Sequence, residues 1–450
     1  MRTTYSMSKG RGLMLLMATL GGGVLLGTAQ QAATPTQAIS RDDRARAHTM
    51  LAAVYEDVNK RYYDASFHGV DLATRYKKYD EELDTTPTLG SSFRVIAAFV
   101  SGLKDSHTYF LPPPRSYSFF YGFRLGMIGD HCFITEVRPG SDAANKVHAG
   151  DEVVRLDGYT IDRKDYSDLS YSINLLQPQP QLRLSLVDPA GATREVTVMT
   201  KYVEHSRLTV VGPELYNQAM LEGDEMDQLY RQRYYKTPEV FAWRLMSFNV
   251  DPTVIDAMYD KAHGSPAIVL DLRGNGGGSV DTLKELLHLF VQKKTKIGDI
   301  VGRRSTHELT VSPDGKGYRG KLFVLVDGGS ASASELFART VQLEHLGTVM
   351  GDTSAGAVME SQIFPHATGA DTITIYADAV AVNNIVMSDG KSLEGAGITP
   401  DIIAIPTPAD MAAGRDTVLA QAISLAGGKA DPEALQQAFA YPWPPYNPSH

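Results

Sequence analysis

Between residues 41 and 103 apolar residues recur at the spacing of one helix face. Met50, Leu51, Val54, Tyr55 and Val58 form one such run, and Phe93, Val95, Ile96, Phe99 and Val100 form another. Asp84-Thr85-Thr86-Pro87 separates them as a turn, so residues 41–110 are expected to make an N-terminal helical domain. Pro112-Pro113-Pro114 ends the pattern. From 117 to 202 the apolar runs are short and broken by Gly, Asp and Pro, which predicts a small β-rich module. Residues 203–425 read as an α/β core. Residues 241–250 predict a strand, and 252–261 a helix capped by Asp251. Ala267-Ile268-Val269-Leu270-Asp271-Leu272 and Leu322-Phe323-Val324-Leu325-Val326 predict two buried strands. Each runs through a turn of small residues into a helix, over 280–291 and 330–341, and this repeat of strand, turn and helix argues for a sheet with helices on its faces. The polar, Met- and Tyr-containing stretch 215–235 reads as a long loop or a mobile helix. The composition of 426–450 predicts a tail over the surface.

The N-terminus adds a compartment. Arg2, Lys9 and Arg11 precede an apolar stretch over 13–26, followed by small residues at Gly27, Thr28 and Ala29, the order of a secretory signal peptide. The stretch falls short of the ~20 apolar residues of a spanning helix. Residues 1–29 are therefore expected to be cleaved near Ala29, placing a soluble mature protein in the periplasm or outside the cell. No later segment predicts a membrane span. The formal net charge of −9 argues against nucleic acid as a partner, since phosphate contacts need a basic face. The single cysteine, Cys132, excludes an intramolecular disulfide and reads as a small buried hydrophobe.

Three places could carry chemistry. The first is Asp271-Leu272-Arg273-Gly274-Asn275-Gly276-Gly277-Gly278, between a strand and a helix. Its glycines let backbone N–H groups face a ligand, but no Gly-Lys-Ser/Thr follows to make a phosphate loop. The second is Gly328-Gly329-Ser330-Ala331-Ser332-Ala333-Ser334-Glu335, again between strand and helix, where a serine hydroxyl can be presented beside a free amide. The plainer reading is a helix start made of small residues, with Ser330 as its cap. The third is Asp105-Ser106-His107 at the end of the helical domain, whose plainer reading is a helix-end histidine. Asp271 reads as a structural acid, and Arg273 either as its partner or as a brace for the glycine loop. No spacing of His, Cys and carboxylates suggests a metal site, and no cofactor is expected.

Taken together, the motif Asp271-Leu272-Arg273 through Gly278, the run Ser330-Ala331-Ser332-Ala333-Ser334-Glu335 and the later Ser392-Leu393-Glu394-Gly395-Ala396-Gly397-Ile398-Thr399-Pro400-Asp401 resemble the C-terminal processing and tricorn family of serine peptidases. Ahead of them, Val137-Arg138-Pro139-Gly140-Ser141-Asp142-Ala143-Ala144, Ala149-Gly150-Asp151-Glu152-Val153-Val154 and Leu156-Asp157-Gly158 resemble a PDZ domain. The resemblance implies a crotonase/ClpP-like α/β core joined to a β-rich PDZ domain and an N-terminal helical cap. It implies Ser332 as nucleophile, with oxyanion amides from Ala333 and from Gly277 or Gly278. The PDZ resemblance implies capture of an extended peptide by strand addition, with Gly122, Phe123, Leu125 and Gly126 as the substrate-binding segment.

One branch of the family uses a lysine about two dozen residues after the nucleophile as general base. Here Ala357 stands at that position. The tricorn branch uses an earlier histidine instead, which implies His107 as base, held by Ser106 and Glu394. The expected activity is hydrolysis of unfolded polypeptides or C-terminal protein ends through an acyl-enzyme. The alternatives are a non-catalytic peptide-binding adaptor that has lost the lysine, and an acyl-CoA enzyme on the same core, which an exported chain disfavours. The oligomeric state is open.

Overall fold

The computed structural model describes residues 38–115, 117–204, 232–313, 315, 317–368, 374–439 and 443. The expected leader and most of the 215–235 stretch lie outside these residues. Three helices come first: α1 (Arg41–Arg61), α2 (Leu72–Leu83) and α3 (Leu89–Ser101). Each begins on a side chain that accepts a backbone N–H of its first turn, from Ser40, Asp71 and Thr88 in order. Their apolar faces pack Met50, Leu51, Val54, Ile96 and Phe99 into one cluster with Tyr376 and Val380 of the core. The helical domain is thus seated on the core. The chain leaves it through a short strand, β1 (Tyr109–Leu111).

A β-rich module follows, built from β2 (Tyr117–Phe120), β3 (Phe123–Ile128), β4 (His131–Val137), β5 (Glu152–Leu156), β6 (Tyr159–Thr160), a short helix α4 (Tyr166–Tyr171), β7 (Gln181–Val187), β8 (Thr193–Met199) and β9 (Lys201–Glu204). Its main sheet runs β3-β4-β5-β7-β8, which leaves β3 at an edge, while β2 pairs with β9. Alternation of buried Leu182, Leu184 and Leu186 with outward-facing neighbours on β7 sets which face closes the module's core. Cys132 lies in that core, and burial pushes its thiol up to about 12, so it is a packed hydrophobe.

The rest of the chain is α/β. In order come β10 (Arg233–Lys236), β11 (Val240–Arg244), α5 (Pro252–Ala262), β12 (Ala267–Asp271), α6 (Val280–His288), β13 (Thr295–Gly302), β14 (Thr306–Val311) and β15 (Lys321–Val326). They are followed by α7 (Ala333–Leu343), β16 (Thr348–Gly351), β17 (Met359–Thr368), β18 (Thr374–Met387), β19 (Ile402–Ile403), α8 (Pro408–Ala412), α9 (Thr417–Leu425) and α10 (Pro432–Phe439). One sheet runs β10-β11-β12-β15-β16-β19, parallel except for β10. It is covered on both sides. Phe241, Ile268, Leu270 and Val324 face α5, α6 and α7, while Ala242, Val269 and Phe323 face α9 and α10. A second sheet, β1-β18-β13-β14 with β17 on β18, bridges the core to the helical domain.

Several boundaries differ from the sequence reading: the strand expected over 241–250 is Val240–Arg244, and the helix expected over 280–291 ends at His288. Residues 432–439, expected in a surface tail, form α10 with Leu435 and Phe439 buried against the parallel sheet. The helix after β15 starts at Ala333 and not at 330, because Ser332 adopts a backbone conformation that no helix contains.

Candidate active site

Ligand sites in parallel sheets collect at the carboxyl ends of the strands. Here the loops leaving β12 and β15 lie side by side, Asp271 being the register partner of Leu325. Asp327 joins them, its Oδ1 accepting the N–H groups of Gly274 (2.8 Å) and Gly329 (2.9 Å). Asn275, fully buried, works in both directions. Its side chain donates to Leu245 O and accepts from Gly277 N, and its carbonyl accepts from Ala331 N and from the Ser334 hydroxyl. Asn275 stands within the first motif of the sequence, whereas Asp327 falls between the strand and the serine run, and the roles of both depend on contacts between loops that sequence spacing does not reveal.

Between these loops sits Ser332, half-buried, with φ 55° and ψ −117°. A non-glycine residue at positive φ costs of order 1–3 kcal/mol and persists where surroundings impose it. Those surroundings are visible. Ser332 N donates to Ala357 O at 2.8 Å and lies 3.1 Å from Glu335 Oε2. Glu335, itself buried, also accepts from the Ser354 hydroxyl and from the amides of Gly356 and Ala357. Burial raises its carboxyl above the ordinary range, against these lowering bonds. The residue that follows the strained serine, Ala333, opens α7, so its N–H has no partner within the helix.

Gly277 packs directly against the serine. A Cβ there would lie 2.6 Å from Ser332 Cβ and 3.0 Å from Ala333 N, and its φ is 96°. Only glycine fits. Its own N–H, however, is bonded to Asn275 Oδ1 at 2.8 Å. The next glycine, Gly278, is pressed against the backbone of Asn249 at φ 138°.

The histidine segment reaches the same place from the other end of the chain. Asp105 Oδ1 accepts from His107 N (2.9 Å) and Thr108 N (2.7 Å), fixing a turn at the exit of the helical domain. The Thr108 hydroxyl accepts from Ala381 N, tying that turn to β18. Glu394 then grips Ser106 twice, with Oε1 on its N–H (2.7 Å) and Oε2 on its hydroxyl (2.9 Å). The Ser106 hydroxyl lies 2.6 Å from His107 Nδ1. Since its one proton is given to Glu394, Nδ1–H must be the donor in that contact, and Nε2 is left with its lone pair. Burial pushes the His107 imidazole below its ordinary value, against the opposing pull of Asp105, and pushes the Glu394 carboxyl up.

Glu394 Oε2 also accepts from Val358 N at 2.7 Å. The Ala357–Val358 peptide therefore holds Ser332 by its carbonyl side and the Glu394–Ser106–His107 chain by its amide side. Ser106, His107, Ser332 and Glu394 thus gather around one peptide unit. A direct hydrogen bond between the Ser332 hydroxyl and the His107 ring is absent among the described residues. The four residues Gly122, Phe123, Leu125 and Gly126 lie elsewhere, on and before the edge strand β3. Tyr166 of α4 donates its hydroxyl to Leu125 O on that edge. Arg163 connects the module to the core, bonding Gly129 O, Thr353 O and the Asp352 carboxylate.

Residues 243–404 match the model of peptidase family S41, a span from β11 through β19 that includes both loops and Glu394. The similarity to peptidase family S41 is thus carried by that segment. Among curated relatives, the tail-specific protease of Haemophilus influenzae is 24% identical over 324 residues, covering 66% of this chain and 43% of that one. The probable CtpA-like serine protease of Staphylococcus epidermidis is 30% identical over 156 residues, 33% of this chain and 30% of its own length. The chain thus spans less than half the length of these relatives. Among solved structures, mature CPAF superposes with a TM-score of 0.59 at 14% identity, covering 82% of this chain and 94% of that one, a likeness of fold. The S41 segment leaves out His107 and Ser106, which the chain supplies from its helical end.

Proposed function

We propose that this chain is an exported serine peptidase that cleaves unfolded polypeptides or C-terminal protein ends through an acyl-enzyme on Ser332. The observation that carries the reading is the pairing of a strained serine at the head of α7 with a Glu394–Ser106–His107 relay beside it. A serine hydroxyl is a weak nucleophile until a base takes its proton. In the proposed cycle His107 Nε2 accepts that proton as Ser332 Oγ bonds to the scissile carbonyl carbon. The same proton then goes to the leaving amine as the C–N bond breaks. Water, deprotonated by Nε2, releases the acyl group. The Nδ1–H···Oγ–H···Oε2 chain fixes the tautomer and stabilises the imidazolium.

The oxyanion would lie between Ala333 N and Gly278 N. Gly277 serves by shape, since its own amide is turned to Asn275. Ala357 stands where a lysine base would be required, so the histidine is the base that remains. The reading of β3 as a peptide-binding edge rests on its place in the sheet; a bound strand would have to displace the Tyr166 hydroxyl from Leu125 O. A purely adaptor role would have no use for strain at Ser332.

The test compares wild type with Ser332→Ala on unstructured protein substrates and with a fluorophosphonate probe. Wild type should cleave and label. The variant should lose cleavage by at least about a thousandfold and label not at all. Equal behaviour of the two would remove Ser332 from the mechanism.

A further inference from the structure

Away from the candidate active site, one side chain of α1 meets two of the β17–β18 hairpin where the helix crosses it. His366 and Tyr376 are register partners on that hairpin, so Asp378, two residues further on, projects from the same face beside His366. Asp57 descends on them from α1. His366 Nε2 lies 2.7 Å from Asp378 Oδ1 and 3.1 Å from Asp57 Oδ2. One ring nitrogen carries at most one proton, so it cannot serve both carboxylates equally.

The surroundings sharpen the mismatch. Asp378 is fully buried, and its second oxygen, Oδ2, is buried with no hydrogen-bond partner. A buried polar atom left unpaired calls for an explanation, an ion among them. Arg61 takes the far oxygen of Asp57, Oδ1, at 2.7 Å, and its guanidinium is held over the Phe364 ring at 4.1 Å. Arg61 thereby orients Asp57 and leaves Oδ2 facing the imidazole. With a neutral imidazole, two carboxylates and one guanidinium leave one net negative charge. The ring of His366 is stacked on Tyr376 at 5.1 Å, which fixes the direction of Nε2.

We propose that Asp57, His366 and Asp378 form a site for a borderline divalent cation of the zinc type, bound by Asp57 Oδ2, His366 Nε2 and the Asp378 carboxylate. These donor atoms lie within 4.8 Å of one another. To admit an ion at bond lengths of 2.0–2.2 Å they must part by about half an ångström, a movement within side-chain reach. One nitrogen and carboxylate oxygens suit zinc, and His366, about a fifth exposed, provides the way in. The site would be structural. It would staple the helical domain, which delivers the Asp105–Thr108 turn, to β18, which receives that turn at Ala381.

The probe is Zn²⁺ itself, titrated calorimetrically into the full chain after chelator treatment at pH 7. Expected is a tight site of one ion per chain, with a higher melting temperature. His366→Ala and Asp57→Asn should each weaken it by at least about tenfold, since each removes a direct donor. Should either variant fail to fold, a zinc-edge anomalous map of the wild type must place the ion among the three side chains. No tight binding, unchanged binding in both folded variants, or an ion elsewhere overturns the proposal. The cluster is then an ion pair sharing protons.

Discussion

Under the proposed mechanism the charge state of His107 decides the rate. A general base must be neutral, so activity rises with pH through its pKa. Burial lowers that pKa, so the rise should sit below the ordinary imidazole value of about 6.5 in a profile of kcat/KM. Glu394→Gln keeps the size of the side chain and removes the charge that stabilises the imidazolium. It should cut kcat by about 10²–10⁴-fold and shift the acid limb further down, while fluorophosphonate still marks Ser332 slowly. An unmoved limb with unchanged kcat would mean that Glu394 only braces the loop. At this scale the sequence was informative where chemistry is local, as in the small residues around Ser332. It was silent on Asn275, Asp327 and Glu335, whose partners belong to other loops.

Among elements, the joint between β11, the loop after β12 and the start of α9 is electrostatic. Asp271, fully buried, pairs with Arg244 and Arg273, and both arginines reach Asp416, the N-cap of α9. The two guanidinium groups hold the Asp271 carboxyl far below the usual range despite its burial. A depressed carboxylate contributes stability that is present above its unfolded pKa of about 3.9 and lost only as pH falls through the folded value. Asp271→Ala leaves both cations without that partner and should cost about 3–5 kcal/mol in urea unfolding at pH 7. A cost under about 1 kcal/mol would show that Asp416 suffices. Element reading from sequence succeeded for the strands buried on both faces, whose apolar runs are continuous. It did not identify the β17–β18 hairpin, where Pro365 and alternating polar residues on β17 blur the pattern. It also took α10 for tail, since eight residues between Pro- and Gly-rich flanks carry little periodicity.

Across the whole molecule, Arg163 and Asp352 join the β-rich module to the loop after β16, Arg163 through Thr353 O and the Asp352 carboxylate, and Asp352 also by accepting from Gly129 N. The same loop contains Ser354, Gly356 and Ala357, the partners of Glu335. Hydrogen bonds to a charged group are worth about 1.5–3 kcal/mol. Arg163→Ala should therefore speed amide exchange over residues 352–358 by roughly tenfold or more, measured by mass spectrometry. Unchanged exchange would mean that this loop is held without the Arg163 side chain. The mixed α/β architecture with a helical N-terminal domain was legible in the order of apolar patterns. That Ser106, His107, Ser332 and Glu394 belong together was implied only by the family resemblance, and the Ala357–Val358 peptide unit that links them was not legible at all, because no periodicity encodes it.

That convergence has a temporal side. Ser106 and Glu394 are separated by 288 positions. At a synthesis rate of about 5–20 residues per second, the second arrives roughly 15–60 s after the first. Under the proposed mechanism, a nascent or unfolded chain cannot yet hydrolyse anything. On that reading, the order of the chain itself delays activity until its last catalytic part has been made.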